Sequence, residues 1–151
     1  MLEPGVRAPT FTLRSDAGDL VRLSDFKGKK VVLYFYPEDD TPVCTVQACG
    51  FRDEWGALRE AGAVVLGVSP DDVGSHARFK KRYKLPFMLL ADPEHVVAGQ
   101  YGAWGQKQMF GIKFQGMRRN TYIIDEKGVL THVFENVRTK GHAKRVLEAI
   151  R

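Results

Sequence analysis

Two uninterrupted apolar runs, Val31-Val32-Leu33-Tyr34-Phe35-Tyr36 and Ala63-Val64-Val65-Leu66-Gly67-Val68-Ser69, constrain this chain more than any other feature. Neither has a polar face, so each predicts a strand buried on both sides, as at the centre of a sheet flanked by helices. Between them the period changes. Over residues 42–60, Val43, Val46, Phe51, Trp55 and Leu58 recur at a spacing compatible with a helix.

The rest of the chain extends this alternation. Residues 11–13 and 20–23 flank Ser15-Asp16-Ala17-Gly18-Asp19 and predict a hairpin around a turn. Residues 73–83 predict a helix with Asp72 at its N-cap, 87–90 a short strand, and 94–101 a short helix after Asp92-Pro93. The stretch 102–116, rich in Gly, Gln and aromatics, predicts an irregular connection. Residues 120–125 and 129–134 predict a second hairpin around Glu126-Lys127-Gly128. Residues 140–150 predict an amphipathic helix with Ala143, Val146, Leu147 and Ile150 on one face. The expected fold is one α/β domain over residues 1–151, with a mixed central sheet, helices on both faces and an N-terminal β-hairpin.

Length and composition agree with a self-sufficient core. A chain of 151 residues, 44% hydrophobic and 27% charged, is an ordinary globular protein. At this size it buries roughly 68–70% of its unfolded surface without staples. Two cysteines are too few for a disulfide scaffold. Met1-Leu2-Glu3-Pro4-Gly5 lacks the basic and apolar regions of a signal peptide, and no apolar run approaches the ~18 residues of a membrane span. The expected location is cytoplasmic, where thiols are kept reduced. The net charge of +5 comes from dispersed Lys and Arg groups with acids between most of them, which fits a solvated surface. No RNA-recognition signature, zinc-finger spacing or basic tail is present, so nucleic acid is not an expected partner.

The chemistry concentrates in Pro37-Glu38-Asp39-Asp40-Thr41-Pro42-Val43-Cys44-Thr45-Val46-Gln47-Ala48-Cys49, just beyond the C-terminal end of the first buried strand. Ligand sites of open α/β sheets favour that edge. Thr41-Pro42 is a helix start, Thr at the N-cap and Pro at the first helical position. Cys44 then lies in the first turn, where free N–H groups and the positive end of the helix dipole favour an anion. A thiol there loses its proton more readily than a free one, and the thiolate is the reactive form. The bland alternative is a small buried hydrophobe.

Cys49 follows five residues later. On an ideal helix the two Cα atoms stand roughly 8–9 Å apart, whereas a disulfide needs about 4.4–6.8 Å. If the pair bonds, the first turns of the helix must unwind, and Gly50 is a soft point just beyond. The spacing differs from the Cys-x-x-Cys of a thiol–disulfide exchanger, and a zinc site would need further ligands. His76, His95, His132 and His142 are scattered without metal-ligand spacing, so they are expected to be surface or structural residues.

Pro37-x-x-x-Thr41-x-x-Cys44 resembles the active-site signature of peroxiredoxins, and a second cysteine five positions on resembles their Q-type subfamily, also called bacterioferritin comigratory protein. The likeness spans nearly the whole chain. Gly5-x-x-Ala8-Pro9-x-Phe11 is similar to the family's opening, and Phe51-Arg52-Asp53 follows the second cysteine as it does there. Trp104-Gly105-x-Lys107 and Arg119-x-Thr121-Tyr122-Ile123-Ile124-Asp125 resemble later blocks.

The resemblance implies a thioredoxin-like fold and a thiol peroxidase that reduces hydrogen peroxide and organic hydroperoxides without metal, haem or other cofactor. By position it implies Cys44 as the peroxidatic nucleophile and Cys49 as the resolving thiol. Thr41 would hydrogen-bond thiolate and peroxide, Pro37 would shelter the pocket, and Arg119 would supply positive charge. Arg118 is the competing cation; strand neighbours point to opposite faces, and the family match selects Arg119. The implied cycle runs through a Cys44–Cys49 disulfide recycled by thioredoxin or a similar dithiol, in a monomer or weak homodimer.

Glu38, Val43, Gln47 and Gly50 depart from the family's commoner Lys, Gly, Glu and Asp, which bears on rate and substrate preference more than on the reaction. Glu38, Asp39 and Asp40 put three acids ahead of the helix, and their charge opposes a nearby thiolate unless they face solvent. Two other function classes fit parts of the sequence: a redox-responsive binding module built on the same two cysteines, and a basic nucleic-acid binder.

Overall fold

The computed structural model describes residues 2–151. The run at residues 31–36 forms most of β3 (Lys30–Phe35), and its side chains alternate between two separate cores. Val31, Leu33 and Phe35 point to one face of the sheet, Val32 and Tyr34 to the other, with Tyr36 following on that second side. A run without a polar face thus feeds two apolar layers at once. β4 (Ala63–Ser69) lies parallel to β3 and divides in the same way, Leu66 and Val68 against Ala63 and Val65.

Seven strands make the central sheet. Adding β1 (Thr12–Ser15), β2 (Leu20–Arg22), β5 (Met88–Ala91), β8 (Thr121–Ile124) and β9 (Leu130–Phe134) gives the order β2-β1-β5-β4-β3-β8-β9. β3, β4 and β5 run parallel; both flanks are antiparallel. The N-terminal hairpin ends in a 3-10 turn at Leu23–Phe26.

Helices α1 (Pro42–Asp53), α2 (Trp55–Glu60), α3 (Val73–Tyr83) and α5 (His142–Ile150) contribute Cys44, Phe51, Leu58, Phe79 and Val146 to the second face. The first is covered by α4 (Val96–Tyr101) and the segment carrying Ala8 and Phe11. Among the described residues no helix is long and apolar enough to cross a membrane.

Two elements differ from expectation. The single helix expected over 42–60 breaks at Glu54 (φ −98°, ψ 8°), and the break turns Trp55 toward Phe87, with ring centroids 6.1 Å apart. The expected irregular stretch is a regular two-stranded ribbon, β6 (Trp104–Met109) paired with β7 (Ile112–Met117). Its turn places Phe110 (φ 52°) and Gly111 (φ 77°) in the left-handed region. A two-residue hairpin turn with both residues left-handed is normally signalled by Asn-Gly or Asp-Gly, and Phe at the first position conceals it.

One glycine is required by close approach. A Cβ on Gly67 would lie 2.9 Å from the Tyr34 ring and hydroxyl and 3.0 Å from Leu89. The bare backbone of β4 is what lets the Tyr34 ring lie flat beneath α1, 4.9 Å from Phe51.

Candidate active site

β3 ends at Phe35, and the chain leaves the sheet through Tyr36 and Pro37 into a loop that delivers α1. Thr41 is the N-cap with extended backbone, and Pro42 opens the helix. The first intrahelical bond runs from Thr45 N–H to the Thr41 carbonyl, 2.9 Å. The N–H groups of Val43 and Cys44 precede that bond and lie at the positive helix end. The Thr41 hydroxyl does not cap them; it donates to the Glu38 carbonyl at 3.1 Å. Pro37 is half-buried beside Tyr36.

Cys44 keeps 1% of its surface exposed. Arg119 reaches it from the connection leading into β8, its Nη1 donating to Cys44 Sγ at 3.2 Å. The arginine sits between β7 and β8, fixed by its neighbours' backbone. Val137 N–H donates to the Arg119 carbonyl and Phe35 N–H to that of Asn120, each 2.9 Å. Arg118 turns away and clasps the ribbon, donating to the carbonyls of Gly102 (2.9 Å) and Gln106 (3.1 Å). Both arginines lie in the irregular connection between β7 and β8, not on a strand as the expected alternation requires.

Lys107 comes near the same charge. Its ammonium donates to the Met117 carbonyl at 2.9 Å, and burial, then Arg119 and Arg118, lower its pKa. Trp104 stacks on the His95 ring at 3.6 Å, a packing role.

Cys49 lies in the same unbroken helix, half-buried, and both thiols are free. Burial raises its pKa, the Arg52 charge opposing and the Asp53 charge adding. It lines a groove with Val46, Gly50, Thr139, Lys140 and Lys144, where α1 meets α5. Below the helix, Gln47 is 1% exposed, and among the described residues neither its amide oxygen nor its nitrogen has a hydrogen-bond partner. The Tyr34 hydroxyl is equally unpartnered. Burial first, then the charges of Cys44, Asp39 and Cys49, hold its pKa well above the ordinary phenol range.

Both ends of α1 are fastened to the last turn of α3. Ahead of the helix, Asp40 (φ 58°) accepts from Arg82 at 2.8 Å and from the Tyr83 hydroxyl at 3.0 Å. At the far end, Arg52 donates to the Tyr83 carbonyl at 2.8 Å.

The three acids ahead of α1 have different fates. Glu38 is exposed, Asp40 is paired with Arg82, and Asp39 is buried against His76 at 2.7 Å. His76, expected as a bland histidine, therefore touches the site loop. It forms with Asp39 and Asp71 a group whose ligand-type atoms lie within 4.8 Å of one another. Both Asp39 oxygens and one of Asp71 already accept protein hydrogen bonds, so the group is a closed network. A signal existed: His76, Phe79 and Tyr83 recur at i, i+3 and i+7, one inward face of the helix that Asp72 caps.

A thiol at a helix N-terminus with a guanidinium on its sulfur is built for nucleophilic attack. The model of the AhpC/TSA family matches residues 4–133. The chain belongs to that family. Within it the chain is a peroxiredoxin of the Bcp, or Q, type. It is 43% identical to peroxiredoxin Bcp of Bacillus subtilis over 150 residues, covering 99% of this chain and 96% of that one. It is also 43% identical to peroxiredoxin Bcp of Escherichia coli K12 over 146 residues, 97% of this chain and 94% of that one. A solved structure of the Xanthomonas campestris bacterioferritin comigratory protein, described for its alkyl peroxide reduction activity, superposes with a TM-score of 0.92. The two share 30% identity over 98% of this chain and 97% of that one. The thioredoxin-like peroxiredoxin fold and the peroxidase class follow from these likenesses.

Proposed function

We propose that this peroxiredoxin reduces hydrogen peroxide and organic hydroperoxides at Cys44 and resolves through Cys49. The observation that carries the assignment is the 3.2 Å contact between the Arg119 guanidinium and Cys44 Sγ at the N-terminus of α1. The Cys44 thiolate attacks one peroxide oxygen; the S–O bond forms, the O–O bond breaks, and the departing oxygen leaves with the bonding pair. It takes a proton to become water or an alcohol. Arg119 and the free N–H groups of the first turn meet that developing charge. Thr41 lies one helical turn ahead of the thiol, so its hydroxyl reaches the peroxide by exchanging its bond to Glu38. Pro37 covers the loop side.

The product is a sulfenic acid on Cys44. Cys49 sulfur attacks it, the S–O bond breaks, water leaves, and a disulfide forms. The intact helix holds the two Cα atoms roughly 8–9 Å apart, beyond the roughly 4.4–6.8 Å of a disulfide, so the turns between them unwind first. Unwinding also brings Cys49 into water and relieves the burial that raises its pKa. A dithiol such as thioredoxin returns both thiols by exchange. Both cysteines lie on one helix, which supports a site complete in a monomer or weak homodimer. Dependence on a thiol reductant supports a cytoplasmic setting.

Intact mass after one equivalent of hydrogen peroxide tests the cycle. The expected result is a loss of about 2 Da, with the bond mapped to Cys44 and Cys49. Cys44→Ser abolishes turnover, and Cys49→Ser reacts once and stops with a gain of about 16 Da. Normal turnover by Cys44→Ser would overturn the assignment, and an oxidised form that changes partner binding without peroxidase cycling would favour a redox-responsive module.

A further inference from the structure

We propose that the buried Asp39–His76 pair is a positioning device for Cys44. It bolts the loop leading into α1 to α3 and β5 while cancelling the charge of an acid five residues from the thiol. The proposal rests on Cys44 being the peroxidatic residue.

Proton counting fixes the pair's charge. The side chains of His76 and Asp39 are 0% and 3% exposed. His76 Nε2 lies 3.0 Å from the Leu90 carbonyl on β5, which only accepts, so Nε2 carries a proton. Nδ1 faces Asp39 Oδ2 at 2.7 Å, and two bare lone pairs at that distance repel, so one proton lies between them. On the ring it makes an imidazolium–carboxylate pair; on the acid it makes a neutral pair. Either way the net charge is zero. The acid that the sequence sets against the thiolate is silenced.

The same residue is held at both carboxylate oxygens and at its backbone N–H. The Tyr36 hydroxyl donates to Asp39 Oδ1 at 2.5 Å, and the Ser75 hydroxyl donates to Oδ2 at 2.8 Å. Its backbone N–H donates to Asp71 Oδ2 at 2.7 Å, an oxygen that also accepts from Ser69 at 2.7 Å. The next residue, Asp40, stands in the left-handed region at φ 58°. A non-glycine there is strained and persists only where its surroundings dictate it. Thr41 and α1 follow directly, so the direction in which the first turn presents Cys44 to Arg119 is set at Asp39.

A misplacement of ~1 Å at a reacting atom costs up to about 10²-fold in rate. Replacing His76 leaves Asp39 buried and unpaired, which forces the loop to move or the charge to stand uncompensated. The test compares wild type, His76→Leu and Asp39→Asn/His76→Leu by stopped-flow reaction of the reduced proteins with hydrogen peroxide. His76→Leu is expected to lower the second-order rate about 10- to 100-fold. The double variant puts a neutral amide at position 39 that keeps the partners Tyr36, Ser75 and Asp71, so the loop stays held without an unpaired acid and the rate is expected to return within about threefold of wild type.

A wild-type rate in His76→Leu overturns the proposal. So does a loss that the double variant does not recover, since simple damage to the core is not repaired by removing a charge. A wild type inert to peroxide would instead overturn the assignment of Cys44 itself. A measurement on the unaltered protein covers a His76→Leu chain that does not fold. In the reduced enzyme, proton NMR is expected to show a far-downfield, exchange-protected resonance from the Asp39–His76 contact, whichever of Nδ1 and Oδ2 carries the proton. Absence of that resonance overturns the pair.

Discussion

The loop before α1 and the helix between its two cysteines are neighbours of opposite character. Between Tyr36 and Thr41 the chain is held by Tyr36, Ser75, His76, Asp71, Arg82 and Tyr83. Over the next turns, Val43 and Val46 are each 49% exposed, Gln47 is buried without a hydrogen-bond partner among the described residues, and Gly50 rests on Ala143 with room to spare. The difference matches two demands of the proposed chemistry. Attack on peroxide needs the sulfur fixed relative to Arg119; disulfide formation needs the helix behind it to open. A segment with one face open to water and an unsatisfied polar group on the other opens at less cost than one held at every turn.

Three perturbations probe this contrast. The largest strikes the fixed side: Arg119→Leu removes the charge-bearing donor on Cys44 and is expected to lower the peroxide reaction about 10²- to 10³-fold, while disulfide formation from preformed sulfenic acid changes little. Stopped-flow measurement of the two phases checks it; equal losses in both phases would break the division.

The second loosens the platform under the helix. His142 on α5 packs edge-on against Phe51 of α1 at 5.8 Å and contacts the Thr121 hydroxyl at 2.9 Å. Burial first, then the Arg145 charge, lower its pKa from 6.5 to about 4. The unfolded chain therefore takes up this proton before the folded one. Stability is expected to drain away as pH falls from about 6.5 toward 4, by up to about 3 kcal/mol, with no further loss from this group below. Urea midpoints across that range measure it, and a His142→Gln chain should show a flatter profile.

The smallest change tightens the loose side. A Cβ on Gly50 meets only Ala143, at an ordinary 3.7 Å, so Gly50→Ala fits the folded helix. The gain in helix propensity, about 1 kcal/mol, is expected to slow disulfide formation about fivefold with the peroxide step unchanged. A slower first step with an unaltered second would invert the comparison.

The parts of this arrangement differ in how plainly the sequence shows them, for physical reasons. β3 and β4 were legible because a buried central strand needs apolar residues on both faces. The start of α1 was legible because Thr-Pro is a local signal, and Cys44 could be placed on it by counting. The break at Glu54 and the ribbon at β6–β7 were not. One depends on where Trp55 packs against Phe87, the other on a left-handed Phe110. Choosing Arg119 over Arg118 needed the family resemblance, since the connection between β7 and β8 has no strand alternation to decide it. The Asp39–His76 contact joins residues 37 apart with α1, α2 and β4 between them, and only the tertiary fold brings them together.

The double fastening of α1 has a consequence for timing. Asp40 and Arg52 are both held by the last turn of α3, so the strip that opens is a loop of about ten residues fastened at both ends. With the ends already together only the helix has to re-form, and helix–coil relaxation of a short segment takes about 0.1–1 μs. In the proposed cycle, once a reductant has split the disulfide, rewinding is thus far quicker than the encounter with the next peroxide. The enzyme returns to its armed form with no refolding delay between one substrate and the next.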